Sequence, residues 1–144
     1  MDPSYFFTPE GEDFEWFYAQ HNVSILDNGD IALFDNGTAK VKRVDGDNRV
    51  SGDNVYSRAV VYQIDTENMT VSQVTEYGKE RGADWYSDWI SGVASLDGTQ
   101  DHLWITAGSH LHSDEENRSD YYPKDMFVQG LTKTTHIDQV DNGE

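Results

Sequence analysis

Chemistry in this chain must come from imidazole, hydroxyl, guanidinium and carboxylate groups, because it contains no cysteine. Thiol catalysis, disulfides and cysteine–zinc sites are thereby excluded. Of the 5 histidines, His21 is the most pointed. It closes the aromatic run Phe14-Glu15-Trp16-Phe17-Tyr18-Ala19-Gln20 and stands directly before the apolar stretch that starts at Val23. At the end of a strand lining a channel, such a histidine is within reach of a ligand. On position alone, an imidazole bonding a backbone carbonyl at a strand start is the commoner arrangement. His110-Leu111-His112 puts two imidazoles on one face of a strand, ahead of Asp114, Glu115 and Glu116. That spacing suits zinc or nickel, and an exposed polar loop explains it as well. Asp45, Asp47 and Asp53 suggest calcium, but Asp-Gly-Asp-Asn-Arg lacks the ligand order and terminal Glu of a calcium loop. No Gly-rich phosphate loop, Ser-His-Asp set or pair of catalytic carboxylates stands out from the acidic background. No metal and no cofactor is expected.

These side chains need strands to hold them. Helical periodicity is scarce, whereas turn dipeptides recur at Asn28-Gly29, Asn36-Gly37, Asp45-Gly46, Asp97-Gly98 and Asn142-Gly143. Short runs rich in Val, Ile, Tyr and Trp lie between them, the pattern of antiparallel strands joined by tight turns. Val23–Leu26 and Ile31–Phe34 flank Asp27-Asn28-Gly29 as one hairpin. Arg58–Asp65, with Val60, Tyr62 and Ile64 alternating, turns at Thr66–Met69 into Thr70–Tyr77 as a second. Lys40–Asn54 reads as a long exposed excursion between the two. Met126–Gln129 and Thr134–Val140 are the strand candidates of the polar tail.

A repeat emerges once the strands are placed. Val23-Ser24-Ile25-Leu26-Asp27 matches Val93-Ala94-Ser95-Leu96-Asp97, each followed by a glycine turn and an alternating strand. The same spacing makes Ser91 the counterpart of His21, and its hydroxyl is a possible donor toward a ligand, although surface serines are common. Two successive units of about four antiparallel strands imply an all-β chain of β-propeller blades, about 14–82 for the first and 83–140 for the second. Two blades do not close a ring, so open edges and self-association are expected.

The surroundings limit the partners. Asp and Glu number 27 against 10 Lys and Arg, a formal charge of −17 over 144 residues, which repels phosphate backbones and argues against nucleic acid. The 18 aspartates and 9 glutamates fit a solvated surface or a salt-adapted source. Hydrophobic residues make up only 36%, but an aromatic content of 12% supplies core bulk that disordered acidic tails lack. No apolar run approaches the roughly 18 residues of a membrane span, and the first residues show no basic or hydrophobic signal-peptide region.

Several segments together resemble the bacterial arylsulfate sulfotransferase family. They are Gln20-His21-Asn22-Val23, Leu26-Asp27-Asn28-Gly29-Asp30 and Leu33-Phe34-Asp35-Asn36-Gly37, followed by Tyr56-Ser57-Arg58-Ala59-Val60-Val61-Tyr62, Met69-Thr70-Val71 and Tyr77-Gly78-Lys79-Glu80-Arg81-Gly82. The resemblance covers about residues 14–110, and the order of the segments is more specific than any one of them. It implies a six-bladed propeller that moves a sulfuryl group from a phenolic sulfate ester to another phenol without a nucleotide donor. In such proteins a histidine is transiently sulfated while His, Arg and Asn residues bind the sulfate oxygens. By its motif His21 is the expected sulfated residue, with Arg58, Asn22 and Ser91 toward the substrate. Arg58 has a second reading, as a partner for nearby acids, and Asn36 has one as an ordinary turn residue. Lys79–Gly82 reads as a structural turn. Members of that family are several times longer, so the chain resembles their C-terminal portion, and an extracytoplasmic location follows from the same resemblance. The competing expectations are a non-catalytic β module and an acidic, calcium-dependent binding domain.

Overall fold

A computed structural model describes residues 3–38, 56–87, 89–112 and 132–141. Among the described residues eight strands form two sheets: β1 (Thr8–Glu10), β2 (Gln20–Ile25), β3 (Ile31–Asp35), β4 (Arg58–Asp65), β5 (Thr70–Tyr77), β6 (Ser91–Ser95), β7 (His102–His112) and β8 (Thr132–Asp141). Short 3-10 segments occupy Pro3–Tyr5 and Lys79–Trp85, and no α-helix occurs among the described residues. The described residues are all-β, as the turn chemistry of the sequence predicts. The first sheet has the order β1-β5-β4-β3-β2 and the second β6-β7-β8.

From β2 to β5 the chain is an antiparallel meander, each strand pairing with the next. Its turns follow from their residues. Gly29 takes φ 90° between β2 and β3, a conformation that costs glycine little. Between β4 and β5, Asp65 Oδ1 accepts the backbone N–H groups of Glu67 and Asn68, both at 2.9 Å. The sheet departs from a four-stranded expectation by one strand: β1 adds to β5 in parallel. In the second sheet, β8 covers the expected tail strand and pairs along β7. Lys40–Asn54 and Met126–Gln129 lie outside the described residues.

The central strands of the first sheet are buried on both faces, which accounts for their nearly continuous apolar runs. Toward the second sheet, Ala32, Phe34, Ala59 and Val61 pack with Trp85, Val93, Leu103, Ile105 and Ala107 into one core. On the opposite face Leu33, Val60, Tyr62 and Val71 are covered by the amino-terminal arm through Phe7, Phe14 and Phe17. The repeated hairpins touch at their turns, where Asp27 N donates to Gly98 O at 2.9 Å. The strands β2 and β6 therefore run close together, with His21 and Ser91 at corresponding ends.

Lys79–Gly82, read as a structural turn, falls in the 3-10 segment Lys79–Trp85. It wraps Trp85, which is fully buried and meets Tyr77 edge-on at 5.5 Å. Trp85 Nε1 donates to Asp138 at 2.9 Å, and Arg81 bonds the same carboxylate at 3.1 Å, tying this segment to β8.

Candidate functional site

The site begins with a turn. At the end of β3, Asp35 Oδ1 accepts N–H groups from Gly37 at 3.0 Å and Tyr18 at 2.7 Å. Gly37 takes φ 70°, a left-handed conformation suited to glycine. This turn leaves Asn36 fully buried between the sheets. Its Nδ2 donates to the Ser87 carbonyl at 2.6 Å and lies 3.4 Å from Ser91 Oγ. Its Oδ1 meets His21 Nδ1 at 2.7 Å. Asn36 thus joins His21 on β2 to Ser91 on β6.

The hydroxyls around this amide bond to one another and to nearby backbone groups. Ser57 Oγ reaches the carbonyls of Asn36 and Ser87 at 2.9 and 3.1 Å and accepts Ser87 N–H at 2.8 Å. Ser91 Oγ accepts Gly108 N–H at 3.1 Å. It also lies 2.9 Å from Ser87 Oγ, which in turn reaches Trp89 O at 3.2 Å. With Ser87 donating to that carbonyl, the Ser91 proton goes to Ser87. Ser91 is 8% exposed, so the structure places it inside the framework that holds the site.

Backbone strain gathers at the same place. Ala19 and Asn22, either side of His21, have φ 59° and 49°, and Ile90, just before Ser91, has φ 46°. A β-branched residue there is an outlier, and such strain collects at functional sites. The register of β2 shifts between His21 and Ser24, so a bulge re-aims the end of the strand. Gly108 makes the Ile90 conformation possible, since a Cβ on it would overlap the Ile90 carbonyl oxygen. Asn22 is exposed, and its Oδ1 accepts Val93 N–H at 3.2 Å, which fixes the amide with Nδ2 as the remaining donor.

Arg58 lies elsewhere. It is fully buried and pairs across the strands with Asp35, Nε to Oδ2 at 3.1 Å. Its other nitrogens reach Glu76, Gln73 at 3.0 Å, Tyr62 Oη at 3.2 Å and the Glu15 carbonyl at 2.9 Å. Burial opposes the charge, but hydrogen bonding to Glu76 and the carboxylate of Asp35 outweigh it and raise the Arg58 pKa. Burial also pushes the neighbouring Tyr62 hydroxyl up to about 12. The guanidinium is therefore occupied by acids, the second of its sequence readings. It is linked to the Asn36 turn through Asp35, whose other oxygen accepts the Gly37 N–H.

Sequence reasoning undervalued Asn36, because Asn-Gly is an ordinary turn dipeptide, and it missed Ser57 and Ser87. The only advance signal was the Tyr-Ser-Arg-Ala segment that contains Ser57. The side chains of His110 and His112 and the Asp45–Asp53 and Asp114–Glu116 clusters lie outside the described residues. Among the described residues no group of three or more His, Asp or Glu is placed to hold a metal ion.

Residues 2–144 match the arylsulfotransferase (ASST) family. The chain belongs to this family. Over 127 residues it is 34% identical to the arylsulfate sulfotransferase AssT of Escherichia coli and, equally, to that of Lelliottia amnigena. Each alignment covers 83% of this chain and 20% of the relative. The chain therefore spans about a fifth of the length of these curated relatives. In this arylsulfotransferase-family chain, the His21–Asn36–Ser91 linkage joins two adjacent sheets.

Proposed function

We propose that the chain provides part of an arylsulfate sulfotransferase centre. In this reading its two sheets are adjacent blades of a β-propeller, and His21 accepts the sulfuryl group. The observation that carries the reading is a half-buried imidazole bonded to a fully buried amide where β2 and β6 meet, in a chain of this family. Neutral imidazole is a competent nucleophile near neutral pH, and its sulfated cation is a good leaving group. The donor is a phenolic sulfate ester and the acceptor a second phenol. His21 attacks sulfur, and the ester S–O bond breaks with its electron pair leaving on the phenolate. In the return step the acceptor oxygen takes the sulfuryl group, and its proton balances the released phenolate.

Asn22 Nδ2 is the nearby donor suited to a sulfate oxygen, where fixed donors stabilise the charge that develops in transfer. Arg58 and Ser91 serve by holding Asp35 and Asn36. Other blades would supply further oxygen-binding groups, and a second copy or the rest of the ring would cover the open edges. An extracytoplasmic location accompanies the reading. The alternative is a non-catalytic β module.

Release of 4-nitrophenolate from 4-nitrophenyl sulfate, with and without a phenol acceptor, tests the proposal. Acceptor-dependent release that falls by at least about 10³-fold in His21→Ala is the expected result. Equal release by the variant contradicts it, and a folded chain with no release belongs to the non-catalytic class.

A further inference from the structure

We propose that Asn36 is a positioning residue that locks His21 in the Nδ1–H tautomer, leaving the Nε2 lone pair for the incoming sulfur; this rests on the sulfuryl-transfer reading of the site. The Ser87 carbonyl oxygen can only accept a hydrogen bond, so at 2.6 Å it requires the Asn36 NH2 group. The reverse amide orientation would set two acceptor oxygens against each other in a fully buried position. Asn36 Oδ1 must then face His21, and it too can only accept. The proton between them at 2.7 Å therefore belongs to His21 Nδ1. A neutral imidazole carries one N–H, so Nε2 holds the lone pair. Among the described residues no hydrogen-bond partner faces Nε2.

The tautomer is thus set by a carbonyl 51 residues away in sequence from the asparagine it orients. It also reverses the ordinary preference of a histidine side chain in water, which favours Nε2–H. During transfer the Nε2 lone pair forms the N–S bond and the S–O electron pair leaves on the phenolate. Nδ1 keeps its proton throughout, still bonded to Asn36, so the positive charge of the sulfated ring faces an amide oxygen.

Long-range proton–nitrogen correlation on the nitrogen-15-labelled chain, at a pH where His21 is neutral, reads the tautomer directly. A pyrrole-type Nδ1 and pyridine-type Nε2 in the wild type are expected, with Asn36→Ala moving His21 toward the Nε2–H form. An Nε2–H wild type overturns the proposal, as does an unchanged Nδ1–H form in folded Asn36→Ala. If that variant does not fold, the wild-type spectrum decides alone. Where a sulfuryl adduct forms, attachment at Nε2 supports the proposal and attachment at Nδ1 contradicts it. An Nδ1–H wild type that never accepts sulfuryl supports the tautomer lock while refuting the transfer reading, so the two fail separately.

Discussion

An imidazole attacks only through a nitrogen that carries its lone pair, and in the proposed transfer His21 would owe that condition to a chain of buried hydrogen bonds behind it. Arg58 lies further back: it neutralises Asp35, which shapes the turn carrying Asn36. Removing one partner of a buried ion pair leaves an uncompensated charge, at a cost of about 3–5 kcal/mol. Arg58→Ala should lower stability to chemical denaturation by that order, because Asp35 is fully buried. A sulfate-binding arginine would instead leave stability near wild type and raise KM. The motifs make His21 and Arg58 candidates in the sequence, but not the contacts they make: Asn36 reaches Ser87 only because the packing of two sheets brings them together.

The elements were legible where local pattern and tertiary environment agree. The bounds of β4 and β5 follow from their apolar spacing and from the Asp65 turn. β1 escaped notice because Thr8-Pro9-Glu10 has no strand pattern and forms only by adding to β5. Gly108 marks where one element limits another. In Gly108→Ala the new methyl collides with the Ile90 carbonyl, and such overpacking costs about 1–3 kcal/mol. The melting temperature should fall, and loss of the Ile90 conformation should disturb the Ser91 bonds before the β4–β5 hairpin. A softer tie joins β7 to β8, where His102 Nδ1 meets Asp141 Oδ1 at 2.9 Å. The hydrogen bond to Asp141 raises the His102 pKa above its ordinary 6.5 and lowers that of Asp141. With the folded-state value raised, the histidine's contribution is full below pH 6.5 and is lost as pH rises through the folded value. Thermal melts should show a small loss of stability in that window, weakened by salt and absent from His102→Gln. An unchanged pH profile in that variant would remove the role of this pair.

At the scale of the whole molecule, the two sheets share one core, yet Val23, Ile25 and Trp104 remain exposed at 57%, 76% and 42%. Apolar side chains left on sheet faces are what neighbouring blades would cover in a closed propeller. The segments Val23–Asp27 and Val93–Asp97, alike in sequence, lead into turns that the Asp27–Gly98 bond joins. The repeat could not reveal that Asn36 crosses from one unit to reach the other. In the proposed transfer His21, held where those units meet, receives the sulfuryl group. Intact-mass spectrometry after incubation with 4-nitrophenyl sulfate, alongside His21→Ala, tests it without requiring turnover. One added SO3 per chain, mapped to His21 and absent from the variant, is the predicted result. A folded wild-type chain that gains no mass, or an equal gain in the variant, would contradict it.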